Sequence, residues 1–165
     1  MTAAIKGFEP LYIQRIAQLT NKSNQFNLTT LRCSEDDIRA MAGDKNDLCL
    51  CGKLVDKFGD NGIVTVVAGR QQGDVLDLTL WLMSCRVLKR GMEDAMMDTV
   101  VAEAAARGVK TIVGHYYPTA KNAMVREFYA QYDFAKTAED ADGNTEWTLD
   151  VAAYTPKQPH MKIER

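Results

Sequence analysis

Between residues 48 and 116 the chain carries three apolar runs joined by short glycine-containing turns, followed by a strand–helix–strand stretch. The two halves of that segment demand different sheet geometries. Short turns permit only antiparallel neighbours, whereas a parallel pair needs a crossover of a dozen or more residues. The runs cover 48–57, 63–68 and 75–83. They are separated by Phe58-Gly59-Asp60-Asn61-Gly62, with Asn-Gly as its strongest turn signal, and by Gly69-Arg70-Gln71-Gln72-Gly73. Leu76, Leu78, Leu80 and Leu82 alternate along the third run, which places them on one face. Residues 92–107 then read as a helix, with Met92, Met96, Val100 and Ala104 in one stripe, Asp94, Asp98 and Glu103 outside it, and Gly108 ending it. With a further strand at 109–115, the stretch 75–116 has the length of a right-handed βαβ unit.

Upstream, 11–23 has a helical period: Ile13, Ile16, Ala17 and Thr20 share one face, Gln14, Arg15 and Gln18 the other, and Pro10 sits where a helix can begin. Asn24-Gln25-Phe26-Asn27 breaks the period; its amides either line a cleft or satisfy their own turn. Ser34-Glu35-Asp36-Asp37 reads as a capping box that opens a short helix over 35–41, with Asp37 standing in for Glu. Downstream, 121–131 reads as a helix, 146–152 as a strand after a turn at 140–144, and 160–163 as a last edge strand. This order predicts an α/β fold: a three-layer sandwich with helices on both faces of a mixed, mainly antiparallel sheet. No repeat or linker divides the 165 residues, so a single domain over 1–165 is expected.

Charge narrows the partners. A net charge of -2 without a basic run points away from nucleic acid and anionic membranes. No apolar stretch approaches the roughly 20 residues that span a bilayer. The amino-terminal residues have no signal layout, so a cytoplasmic protein is expected. Cys33, Cys49, Cys51 and Cys85 match no zinc spacing and there are only two histidines, so no metal is expected. Cys33, Cys49 and Cys51 read as reduced, packed or surface thiols, and His115 and His160 as strand-end or surface residues. The oligomeric state is left open.

Five sequence words carry a resemblance: Asn21-Lys22-Ser23-Asn24-Gln25-Phe26-Asn27-Leu28-Thr29-Thr30, Phe58-Gly59-Asp60-Asn61-Gly62, Ser84-Cys85-Arg86-Val87-Leu88, Tyr117-Pro118-Thr119 with Lys121-Asn122, and Phe128-Tyr129. In this order, within 12–147, they resemble the GNAT-like carboxy-terminal domain of FkbH-type proteins. The element order likewise resembles the GNAT acyltransferase fold. The resemblance implies a setting. FkbH-like proteins join a HAD-type phosphatase-like domain to this one, take a glyceryl group from a glycolytic acyl phosphate and load it on an acyl carrier protein, often towards methoxymalonyl units for polyketide assembly. The phosphatase motif needs two aspartates one residue apart after a strand. Asp74-Val75-Leu76-Asp77 has the wrong spacing, so dephosphorylation is not carried over.

In GNAT enzymes a loop of the form Arg/Gln-x-x-Gly-x-Gly/Ala precedes a helix whose first N–H groups hold the pyrophosphate of acetyl-CoA. Orphan donors and the helix dipole together attract the anion. The resemblance places that loop at Arg90-Gly91-Met92-Glu93-Asp94-Ala95, preceded by Arg86, Val87 and Lys89. Glu93 stands where the motif has Gly. A carboxylate ~5 Å from a phosphate costs roughly 3 kcal/mol at an effective dielectric of about 20, which is about two decades in affinity. Arg86, Lys89 and Arg90 offset part of that; on the plainer reading, Glu93 and Asp94 only favour the helix start. The ligands implied are acetyl-CoA, CoA or a carrier protein's phosphopantetheine, which lacks the adenosine diphosphate portion.

Cys85 falls where a strand gives way to this loop, beside Arg86, and a thiol in cationic surroundings can hold an acyl group as a thioester. The resemblance supports that role; the alternative is a packed strand cysteine. It also implies that Tyr129 protonates a departing thiolate and that Asn122 contacts the pantetheine arm. The residues themselves equally allow a core aromatic and a helix cap. Three functions stay open: an acyl-handling domain that docks a carrier protein, an acetyl-CoA-dependent N-acetyltransferase, and a non-catalytic carrier-binding module.

Overall fold

Apolar side chains from the two faces of one sheet form two separate cores. The computed structural model describes residues 1–88 and 90–165, so of the candidate site residues Lys89 lies outside the described residues. The elements run β1 (Thr2–Lys6), α1 (Ile13–Lys22), α2 (Glu35–Gly43), β2 (Asp47–Asp56), β3 (Gly59–Gln72), β4 (Val75–Met83), α3 (Met92–Ala106), β5 (Thr111–Tyr116), β6 (Ala135–Glu139), β7 (Thr145–Asp150) and β8 (Lys162–Glu164). The strands make one sheet in the order β6-β7-β5-β4-β3-β2-β1-β8. β4 with β5 and β1 with β8 are parallel, and the other pairs are antiparallel. On one face Ile13, Ile16 and Leu19 of α1 and Ile38 of α2 meet Cys51, Val66, Leu80 and Leu82. On the other, α3 buries Met92, Met96 and Val100 with Val64, Val67, Leu76 and an aromatic group from 128–134. The molecule is therefore the mixed, mainly antiparallel α/β sandwich expected.

Local chemistry places several boundaries. The Ser34 side chain accepts from Asp37 N at 3.1 Å while Ser34 N donates to Asp37 Oδ2 at 2.9 Å, so the capping box is complete. α3 stops before Gly108, whose φ of +77° lies in the left-handed region that favours glycine.

Other expectations need correction. β3 absorbs most of both predicted turns, leaving two-residue connections at 57–58 and 73–74. The four leucines of β4 do not share a face. Gly69 pairs with Leu78 but Ala68 with Leu80, so Thr79 is an extra residue, a β-bulge. Leu76 and Leu78 face α3, whereas Leu80 and Leu82 face α1 and α2. Gly69 is needed there: a Cβ would lie 3.0 Å from the Asp77 carbonyl oxygen. The expected helix at 121–131 is two 3-10 turns, Ala123–Val125 and Tyr129–Tyr132. Val125, Phe128, Tyr129 and Tyr132 all enter one core, and 3-10 winding brings positions three apart onto the same side. The last edge strand is Lys162–Glu164, slightly beyond the predicted 160–163. β1 and β6 have no counterpart in the sequence-based expectation.

Candidate functional site

β4 and β5 run parallel only from Val75 to Asp77 against Thr111 to Val113. Beyond that point the bulge at Thr79 redirects β4 and the two strands part. Past the end of β4, Ser84 accepts from Arg86 N at 3.4 Å and starts a 3-10 turn over Cys85–Val87. Here lies a groove of about 870 Å³, between the end of α1, the segment 23–26, the end of β4 and the loop at 120–121. Arg15, Lys22, Arg86 and Lys121 line it with Ser84, the exposed Cys85, Asn24 and Gln25, and among the described residues no carboxylate contributes to the lining. Among the described residues none of these four cations has a carboxylate within 4.0 Å. On a chain of net charge -2, this is a local positive field in a concave wall, which attracts an anion.

The sequence-derived candidates do not all gather here. Cys85 and Arg86 line the groove. Val87, Met92 and Ala95 are fully buried and belong to the α3-side core. Arg90 forms an ion pair with Asp56 at the end of β2 and holds that carboxyl below the usual range. Gly91 has φ +87°, and a Cβ on it would lie 3.0 Å from Met161 Cε and 3.5 Å from Pro159, so the carboxy-terminal segment rests against the start of α3. Glu93 is half-buried, and Asp94 accepts from Tyr132 Oη at 2.7 Å. The expected anion-binding stretch from the end of β4 into α3 is thus divided: the thiol faces the groove, while α3 begins beneath residues 159–161 with two acids in its first turn.

Asn122 is fully buried and bonded on both ends of its amide. Its Nδ2 donates to the Asn27 and Tyr117 carbonyls, each at 2.9 Å, and its Oδ1 accepts from Thr119 N at 2.8 Å and Tyr116 Oη at 3.2 Å. It makes no side-chain cap bond to the turn it precedes. Tyr129 is 1% exposed and packs edge-on to Trp81 and Phe128, with its ring over Gly114. Burial, reinforced by Asp77, raises its hydroxyl well above the ordinary value, so it stays protonated. Burial also pushes Cys49 and Cys51 up to about 12, and raises Cys33. Cys85 is therefore the one cysteine left on an open surface among the four.

Sequence reasoning missed two features. His115 Nε2 lies 2.6 Å from Asp77 Oδ1 where β4 and β5 separate, beside the Tyr117 ring; the residues sit 38 apart in sequence and only the crossover brings them together. Asp98, read as an outward residue of α3, is 9% exposed and accepts from Tyr154 Oη at 2.5 Å and from the backbone N–H groups of Lys157 and Gln158, each at 2.9 Å. Among the described residues no group of three or more His, Cys, Asp or Glu could hold a metal ion. No helix among them is long and apolar enough to cross a membrane.

The architecture is the GNAT fold. No protein-family model matches the chain, and no curated protein matches it by sequence. Solved structures do match. The ribosomal-protein-S18-alanine N-acetyltransferase from Escherichia coli superposes with a TM-score of 0.69 at 14% identity, covering 96% of this chain and 99% of that one. Ard1 from Thermoplasma volcanium gives 0.67 at 16% identity over 91% of this chain and 98% of that one. Spermidine N-acetyltransferase from Vibrio cholerae, solved in complex with CoA and spermine, gives 0.67 at 9% identity over 91% and 96%. At such identities the likeness establishes the fold, and function has to be argued from the groove.

Proposed function

We propose that this chain is an acyl-handling domain in which Cys85 carries an acyl group as a thioester within the basic groove. In the fuller form suggested by the sequence resemblance, it serves an FkbH-type system in the cytoplasm. It passes a glyceryl-type acyl group to an acyl carrier protein for polyketide extender units, with a HAD-type phosphatase domain as partner. One observation carries the reading: an exposed thiol stands in a groove of about 870 Å³ lined, among the described residues, by four cations and no carboxylate. Such a wall suits a donor or carrier arm that bears phosphate. The GNAT fold, shared with N-acetyltransferases, agrees with acyl transfer in the broad sense.

The chemistry has two balanced steps. The Cys85 sulfur, having given its proton to solvent, attacks the carbonyl carbon of an acyl phosphate; the C–S bond forms, the C–O bond breaks, and phosphate leaves with the electron pair. The thiol of the carrier's arm then loses its proton and attacks the same carbon; a new C–S bond forms and the Cys85 thiolate departs. Arg15, Lys22, Arg86 and Lys121 hold the phosphate-bearing ends of both substrates.

The full chain, a phosphatase partner, an acyl phosphate and a carrier protein are incubated together and the intact masses followed. The expected result is an acyl adduct on this chain, located at Cys85, that decays as carrier adduct appears and is missing in Cys85→Ala. Carrier loading at an unchanged rate by Cys85→Ala overturns the thioester role.

A second reading, a non-catalytic docking module for the carrier, is favoured by the way residues 26–28 close off the sheet beside the groove. It predicts that Lys22→Glu with Lys121→Glu abolishes loading whereas Cys85→Ala does not.

A further inference from the structure

Where parallel strands part, each leaves a row of N–H and C=O groups that must find partners or water. Beyond Asp77 and Val113 that is the situation of β4 and β5. The chain fills the opening itself. Met83 N donates to the Phe26 carbonyl at 3.0 Å, Leu28 N donates to the Trp81 carbonyl at 3.0 Å, and Tyr117 N donates to the Leu28 carbonyl at 2.8 Å. Asn27 and Leu82 form an antiparallel bridge. Residues 26–28 therefore lie between the two strands as a short internal strand, with Asn27 0% and Leu28 1% exposed.

The segment is held from every side. Asn122 grips the Asn27 carbonyl; Asn27 itself bonds the Ser23 carbonyl and Thr30 N; Thr29 Oγ1 donates to the Thr79 carbonyl at the bulge; Arg32 bonds the carbonyls of Thr20 and Ser23 and the Asn24 side chain. Thr30 has φ +57°, a conformation unfavourable for a β-branched residue and tolerated only where surrounding contacts impose it.

A pantetheine arm is an extended chain with two secondary amides. To lie in a parted sheet it needs the backbone groups that residues 26–28 already use. The resemblance assigns Asn122 to contact such an arm; in this structure the Asn122 amide makes that contact to Asn27 instead. The start of α3, where the pyrophosphate of CoA is expected, carries Glu93 and Asp94 and lies beneath Pro159 and Met161. The residues present do not fit a CoA arm threaded into the sheet.

We infer that residues 26–28 are a built-in occupant of the β4–β5 opening, standing in for the cofactor arm, so that any phosphopantetheine-type ligand is confined to the outer groove, with Phe26 as the wall between the two. The inference goes beyond the proposed function and does not depend on Cys85 chemistry.

The test is residue-resolved amide hydrogen exchange on the full chain, with and without millimolar CoA as probe, alongside alkylation of Cys85 by iodoacetamide. The amides of Leu28, Met83 and Tyr117 are expected to exchange as slowly as those of the central strands, and CoA should leave all three unchanged. Slower Cys85 alkylation with the three amides unmoved also supports the inference, because it places the ligand outside the opening. Exchange of these amides as fast as in exposed loops overturns it, as does CoA binding that perturbs them. A chain that fails only at Cys85→Ala loses the thioester reading and keeps this one.

Discussion

Asn122 Nδ2 donates to the Asn27 carbonyl at 2.9 Å, a bond between two fully buried residues 95 positions apart in sequence. It ties the loop after β5 to the segment that closes the sheet. Asn122→Ala leaves the carbonyls of Asn27 and Tyr117 and the N–H of Thr119 without this partner in a dry site. A buried polar group left unsatisfied costs about 1–3 kcal/mol. The expected loss on urea unfolding is roughly 3 kcal/mol, with Asn122→Asp also destabilised because it cannot donate. A side chain kept only to touch a ligand would change stability by less than about 0.5 kcal/mol.

Tyr129 and Gly114 form a matched pair. A Cβ at Gly114 would lie 2.5 Å from Tyr129 Cζ, inside any tolerable contact. Gly114→Ala is expected to destabilise by about 1–3 kcal/mol through overpacking. Tyr129→Leu in the same chain should recover part of that loss, giving a favourable coupling in a double-mutant cycle. Additive effects of the two changes would show that the ring is not fixed against the strand.

The carboxy-terminal segment hangs on Asp98, which accepts from Tyr154, Lys157 and Gln158. Asp98→Ala removes charge-assisted bonds worth about 1.5–3 kcal/mol each and should release residues 154–165 before the rest of the domain. Limited trypsin digestion checks this: cleavage after Lys157 and Lys162 accelerates in the variant, while the fragment ending at Lys157 stays folded.

The cysteines should separate by reactivity and by pH. At pH 8 one equivalent of iodoacetamide is expected to react with the native chain, at Cys85. Burial pushes Cys49 and Cys51 from 9.0 up to about 12 and so keeps them neutral. Unfolding frees these thiols to ionise above their ordinary value. The stability they contribute is complete below about pH 9 and falls as pH rises from there towards 12. Urea unfolding at pH 7 and pH 10.5 should show a drop that shrinks in Cys49→Ala/Cys51→Ala; an equal drop in that variant rejects the thiols as its source.

Much of the architecture was legible in local pattern. Val75–Met83 alternates and is bounded by turns, Ser34 with Asp37 makes a reciprocal cap, and Gly108 stops α3. β1 and β6 were not legible. The former buries only Ala3 and Ile5, too few positions to reveal a period in sequence, and all five residues of β6 are exposed and show no apolar face; pairing at the sheet margins makes them strands. The bulge left one trace, Gly69 within an apolar run, which reads as a turn until its partner strand is known.

For the site, sequence placed a thiol beside cations at a strand end, and Cys85 and Arg86 do line the groove. It could not show that Lys22 and Arg15 approach from α1, that Arg90 is spent on Asp56, or that Asn122 is turned inward to Asn27. Alternation, capping and turn chemistry act between residues a few positions apart, so the chain by itself determined the central strands β2 to β5, the helices α1 to α3 and the mixed α/β class, and its sequence words carried the GNAT-like resemblance. Which face Leu80 takes, what fills the gap between β4 and β5, and where charge is left unpaired depend on contacts between residues tens of positions apart. Those were decided only by the assembled sheet, whose strands must satisfy every buried backbone group at once.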